Sequence, residues 1–208
     1  MLFRSKVAKA RSLEERAEAM AKLRAAYEQQ SPHASFSHAT RLVWGEGELD
    51  AKVLLIGDAP LEAEEREGRP FLGRSGELLD KMLAAMTIGR AKCYLTNLVK
   101  ARPTDDRTLQ ESDVAASIPF LMEQLAIVGP DVIITLGVMP ARMLLRTTAK
   151  MSELRGVWST MTLKDGREIA VMPTFAPSYV LNSYTDEVRG KVWSDLQLVM
   201  ERLGLKRG

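Results

Sequence analysis

Four short, largely apolar runs constrain this chain most: VLLIGD at residues 53–58, CYLTNLV at 93–99, DVIITLG at 131–137 and REIAVMPTF at 167–175. Each is too short for a helix and lacks the polar face of a half-exposed strand, so each reads as a strand buried on both faces. Helical spacing fills the intervals. GELLDKMLAAM places Leu78, Leu79, Met82, Leu83 and Met86 on one face, and Ser112 to Val128 reads as a helix with Pro119 inside it or at a kink. VMPARMLLR follows the third run, and VRGKVWSDLQLVMERL closes the chain as an amphipathic helix. Strands alternating with helices build a parallel sheet covered on both sides. The predicted fold is α/β: one three-layer α/β/α domain over residues 1–208, around a four-stranded parallel sheet, with an N-terminal helical extension over about 1–30.

In that extension Ser12 and Glu15 have capping-box spacing ahead of strong helix formers. Leu61 to Gly76, charged and glycine-rich, reads as loop, and ARPTDDR as a turn around Pro103. At 208 residues, with 46% hydrophobic and 27% charged residues, the composition is that of a soluble globular protein. No apolar run approaches the roughly 18 residues of a membrane span, and Met1 to Arg11 lacks a signal-peptide core, so a cytoplasmic protein without membrane partners is expected. A net charge of +2 does not announce a nucleic-acid binder. The single cysteine, Cys93, excludes an internal disulfide and an all-cysteine metal site within one chain. The only histidines are His33 and His38.

Ligands of an open parallel sheet bind beyond the carboxyl ends of its strands. Here those ends carry Asp58 with the loop to Gly76, Asn97 with Lys100 to Arg107, Gly137, and Thr174 with Phe175 to Asn182. Three of them resemble the family 4 uracil-DNA glycosylases. GDAPLEAEEREGRPFLGRSGELLD is similar to that family's first motif, G-E-A-P-G, an acidic stretch and G-x-P-F-x-G-x-x-G-x-L-L. YLTNLVKARP resembles T-N-x-V-K-C-R-P, and PTFAPSYVL resembles the second motif, P-T-x-H-P-x-Y-L-L; order and spacing agree from about Leu42 to Leu203. The resemblance implies a uracil-DNA glycosylase-like fold and a monofunctional enzyme of base excision repair. Its substrate is DNA containing uracil, with other deaminated bases as an extension, its product is free uracil, and it acts as a monomer without cofactor.

Site residues follow from the same resemblance. Gly57, Ala59, Phe71, Asn97 and Ala176 are placed at the substrate, with Phe71 stacking on an extruded uracil and Asn97 reading its edge. A base must leave the stack to expose its glycosidic bond, and an amide can meet the O4 acceptor and N3 donor together. Taken alone, Phe71 reads as a core aromatic and Asn97 as a strand-end cap. Asp58 stands where the family usually has glutamate, and Asp106 where it has the asparagine of C-R-P-P-G-N-R. Either carboxylate can position water or stabilise the cationic sugar, and either alone is also an ordinary loop residue. Lys100, Arg102 and Arg107, with Arg69 and Arg74 nearby, are expected at phosphates. Pro177 to Leu181, with Pro177, Ser178 and Tyr179 at the DNA, is expected to enter the minor groove as a wedge, or to form a tight turn before the last helix. Glu62, Glu64, Glu65 and Glu67 are expected to turn from DNA or in part to order the base-binding loop.

Two departures from the pattern matter. Family members generally carry four cysteines for an iron–sulfur cluster, whereas Ala101 and Ser117 stand at two of those positions and the N-terminal pair is missing, so a protein without metal is expected. Ala176 replaces the second-motif histidine, which leaves backbone N–H groups of the first-motif loop and Asn97 to hold the base anion. The alternative is a catalytically inactive paralogue that binds uracil-containing or damaged DNA. A nucleotide-binding module is weaker, because no G-x-G-x-x-G or Walker pattern follows a strand.

Overall fold

The computed structural model describes residues 12–29, 39–103, 109 and 111–206. Its sheet contains β1 (Glu46–Gly47), β2 (Val53–Gly57), β3 (Cys93–Asn97), β4 (Val132–Leu136), β5 (Ser159–Thr162) and β6 (Glu168–Thr174), in spatial order β1-β3-β2-β4-β6-β5. The middle four are parallel, with Leu55 opposite both Leu95 and Ile134, whereas β1 and β5 pair antiparallel at the two edges. The expected four-stranded parallel sheet is thus corrected to a mixed sheet of six strands. The four apolar runs make its centre. The edges escaped notice because β1 has two residues and β5 buries only Met161, so neither carries an apolar run.

Eight helices accompany the sheet among the described residues: α1 (Leu13–Gln29), α2 (Glu62–Glu67), α3 (Gly73–Ala85), α4 (Glu111–Val128), α5 (Val138–Leu145), α6 (Met151–Leu154), α7 (Pro177–Asn182) and α8 (Asp186–Leu203). Alternation along each central strand feeds two cores. Leu54 and Ile56, with Ile133 and Val171, pack in one cluster with Met20 and Tyr27 of α1 and Leu121 and Leu125 of α4. Val53 and Leu55, with Ile134 and Met172, pack in the other with Leu79 and Leu83 of α3 and Leu196 and Val199 of α8. Burying each such aliphatic side chain contributes about 1.5–3 kcal/mol before chain entropy is counted.

Ser12 and Glu15 cap α1 reciprocally, at 2.7 and 3.1 Å. Arg16 then donates to the Ile127 carbonyl at the end of α4, at 2.9 Å, joining the two helices. The segment expected as loop from Leu61 to Gly76 holds α2 and the start of α3. Six charged and small residues give no apolar period, and Gly68, at φ 71°, ends the helix. Pro177 to Leu181, expected as a wedge or a tight turn, lies in α7 with Pro177 at its start. Among the described residues no helix is long and apolar enough to cross a membrane.

Candidate active site

The carboxyl ends of β2 and β3 are tied together beyond the sheet. Leu98 N–H donates to the Gly57 carbonyl at 2.9 Å and Val99 N–H to that of Asp58 at 3.3 Å. This sets Asp58 and Asn97 side by side at the mouth and floor of a cavity of about 390 Å³. Gly57, Asp58, Ala59, Phe71 and Asn97 line it on one side, and Ala176, Pro177 and Ser178 on the other.

Glycine is obligatory at the hinge of this arrangement. A Cβ at Gly57 would stand 2.5 Å from Asn97 Oδ1 and 2.9 Å from the Phe71 ring, so both side chains occupy space that any larger residue would take. Phe71 is buried at 8% exposure and held at φ 55°. Arg90 clamps the backbone around it, donating to the Phe71 carbonyl at 3.1 Å and to that of Pro70. Glu64 works from the other side: its carboxylate accepts the N–H of Leu61 at 3.1 Å and of Leu72 at 3.3 Å, closing the loop that carries Phe71. Burial pushes the pKa of Glu64 up, and these N–H donors oppose the shift. The acidic stretch thus in part orders the aromatic, while Glu65 turns to Thr40 N–H and Arg102.

Asn97 is 2% exposed, and its Nδ2 is a buried donor without a partner among the described residues. An unpaired buried amide is costly and calls for an explanation. Asp58 is open to solvent on its outer side, yet the protein packed around its inner side desolvates the carboxylate and pushes its pKa up to about 6. Both of its oxygens lie 3.7 Å, and the Ala176 methyl 3.6 Å, from the point where a Cβ on Gly137 would stand. The carboxylate and the alanine that replaces the expected histidine therefore flank one gap.

Lys100 requires a correction. It is completely buried, donates from Nζ to Thr96 Oγ1 at 2.6 Å and to the Asn97 carbonyl at 2.7 Å, and lies 5.6 Å from the Trp44 ring centre. No phosphate reaches it there, and burial holds its pKa well below the ordinary lysine value. Arg102 is half-buried and pairs through Nε with Glu65 at 2.8 Å; Arg69 pairs with Glu46. Arg74 is exposed at the start of α3. Tyr179 is exposed, its ring stacked 4.7 Å from that of Phe175. Asp106 and Arg107 lie outside the described residues, as do His33 and His38.

Sequence reasoning missed Leu61, Ser75, Val138 and Met139, which also line the cavity. Val138 and Met139 follow Gly137, a strand end that was legible, whereas an exposed leucine has no local signature. A groove of the same volume, between α3 and α8, is lined mainly by apolar side chains such as Leu78, Met82 and Leu196 and holds none of the unpaired buried polar atoms of the described residues.

The residues at the place of the implied cluster do not fit one. Ala101 is wholly buried, and Ser117 Oγ lies 3.1 Å from the Tyr27 hydroxyl, whose ring packs edge-on against Trp44 and Phe120. The one thiol, Cys93, is enclosed in β3, and burial pushes its pKa up to about 12.

The sequence profile of the Uracil DNA glycosylase superfamily matches residues 44–197. The type-4 uracil-DNA glycosylase of Thermotoga maritima is 37% identical over 164 residues, 76% of this chain and 81% of that protein. The type-4 enzyme of Saccharolobus solfataricus is 34% identical over 167 residues, 78% of this chain and 76% of that protein. That of Pyrobaculum aerophilum is 33% identical over 158 residues, covering 74% and 79%.

Proposed function

Because this chain belongs to the uracil-DNA glycosylase superfamily, we propose that it hydrolyses the N-glycosidic bond of uracil in DNA, as a monofunctional glycosylase of base excision repair. The observation that carries the reading is the buried, unpaired Nδ2 of Asn97 beside the Phe71 ring. In this reading the ring stacks on the extruded base and Nδ2 donates to its O4, relieving the cost of an unmade hydrogen bond. The N1–C1′ bond breaks, leaving a cationic sugar and a uracil anion. Asp58, ionised, faces the cation and takes a proton from the water that bonds to C1′, while loop N–H groups beside Ala59 and the Asn97 amide hold the anion until it is protonated. Asp106 has the same role as a second candidate. Pro177, Ser178, Tyr179, Arg102 and Arg107 belong to the DNA-binding surface, and the enzyme acts as a monomer.

Other deaminated bases that present an acceptor next to a ring N–H fall within the same reading. The test is single-turnover release from oligonucleotides containing uracil or hypoxanthine, by wild type and Asn97→Asp. Wild type is expected to release uracil, and the variant about a hundredfold more slowly, since a carboxylate lacks the donor for O4. Binding without release by wild type would replace the enzyme with the DNA-binding paralogue.

A further inference from the structure

Among the described residues the largest fully buried side chain is that of Lys100. A lysine is almost never enclosed without a carboxylate partner, and Lys100 has none among the described residues. Its Nζ donates instead to Thr96 Oγ1 at 2.6 Å and to the Asn97 carbonyl at 2.7 Å. The Thr96 hydroxyl passes its own proton to the Trp44 carbonyl at 3.0 Å, which also accepts Gln124 Nε2 at 3.1 Å. This network runs under β3 and ends on the main chain of the residue whose amide meets the base. Leu98 N–H, on the other side of the same peptide group, donates to the Gly57 carbonyl at 2.9 Å, so Asn97 is held between Lys100 and β2. The titratable groups beside the network are phenols: Tyr94 lies 3.4 Å from Gln124 Nε2, and Tyr27 accepts the Lys100 backbone N–H. Burial raises the pKa of both, so neither supplies a negative charge. The Trp44 ring, 5.6 Å from Nζ, offers a face to a cation.

Packing alone would be served by methionine, and enclosing an amine costs solvation. We propose that Lys100 is a positioning residue for glycosidic-bond cleavage, whose ammonium fixes the Asn97 main chain and sets a positive charge behind the uracil anion, in place of the imidazole that Ala176 lacks. The proposal rests on the glycosylase reading above. When N1–C1′ breaks, its electron pair stays on the base, and Lys100 gives up no proton; it acts through Asn97 and through space. Little water screens a charge enclosed there, so its pull on an anion across one residue is strong. The same anion favours the protonated amine and opposes the effect of burial.

Two measurements on the whole chain test it. The first is single-turnover release of uracil and of 5-fluorouracil, whose fluorine stabilises the departing anion and lowers the need for help. Wild type, Lys100→Met and Lys100→Gln are compared, with Lys52→Met, before the opposite end of β2, as control. Lys100→Met is expected to slow uracil release about thirtyfold and 5-fluorouracil release about threefold, and Lys100→Gln, which keeps a donor without the charge, to follow it. A misplaced Asn97 alone would slow both bases equally. The second is the ionisation of 5-fluorouracil, followed by its ultraviolet spectrum, when bound with DNA carrying an abasic-site analogue; it needs no turnover. Bound to wild type, the base is expected to ionise at lower pH than free in solution, and Lys100→Met to reduce that shift. Equal losses on the two bases, full activity in Lys100→Gln, or an undiminished shift in Lys100→Met overturn the proposal. So does wild type that leaves the base unbound or unshifted, a result that stands even where the variants fail to fold. If wild type releases neither base the glycosylase reading fails, and the ionisation shift still decides the role of Lys100.

Discussion

Asp58 combines two properties that seldom coincide: access to solvent, and a pKa pushed up to about 6 by the protein around it. A carboxylate must be ionised to accept a proton or face a cationic sugar, so uracil release is expected to climb as pH rises through about 6 and to level off above it. Asp58→Asn should remove that limb and lower the plateau by about 10²–10³-fold, read from single-turnover rates on both sides of that pH. A limb that survives in Asp58→Asn assigns it to another group. The stability sign runs the other way. A folded-state pKa raised above 3.8 means that folding favours the protonated acid, so ionising Asp58 costs stability as pH rises from about 4 to about 6, and Asp58→Asn should not destabilise the protein above that window. The exposed aspartate was legible from its strand end; its pKa depends on what the rest of the chain packs around it.

At the scale of elements, the site is a junction of strand ends and short helices. Gly57 ends β2 under both the Asn97 amide and the Phe71 ring, and a Cβ there would stand only 2.5 Å from Asn97 Oδ1 and 2.9 Å from the ring. Gly57→Ala is expected to cut uracil release by about a hundredfold or more by displacing both groups, since small misplacements of positioned groups carry that scale of loss. Rates and a thermal melt, measured together, check it: an active Gly57→Ala would mean that the amide and ring are not the positioned pair. The strand ends were readable because a run of buried residues has to stop somewhere. The helices α2 and α7 were not, because six residues carry too little periodicity and their ends are held by distant partners such as Glu64 on Leu72.

Across the whole molecule, one core is closed by aromatic packing between α1 and α4. Tyr27 of α1, Ser117 of α4, Trp44 and Phe120 pack where the resemblance would put cluster ligands. Purified protein is expected to carry no stoichiometric iron and to keep its melting temperature under a strong chelator. Tyr27→Ala should cost about 3–5 kcal/mol in denaturant unfolding, the range for removing a large buried aromatic. Stoichiometric iron, chelator-induced unfolding, or a Tyr27→Ala variant of wild-type stability would each contradict this packing account. The buried ion pair of Asp195 with Arg155, in which Asp195 also accepts from Thr174 Oγ1 at 2.7 Å, fastens α8 to the end of β6.

The sequence by itself determined the four central strands, their alternation with helices and the strand ends at which Asp58, Asn97 and Ala176 stand, because burial on both faces and turn chemistry are written in neighbouring residues. Only the tertiary structure decided which polar groups lie inside. Lys100 reads as a surface cation because lysine is almost always one, yet Trp44 and Thr96 enclose it. Four acids read alike as candidates to order the base-binding loop, and it is Glu64 that closes the loop carrying Phe71. The edge strands, the raised pKa of Asp58 and the unpaired amide of Asn97 likewise arise from contacts between segments far apart in the chain, and a local pattern holds no record of them.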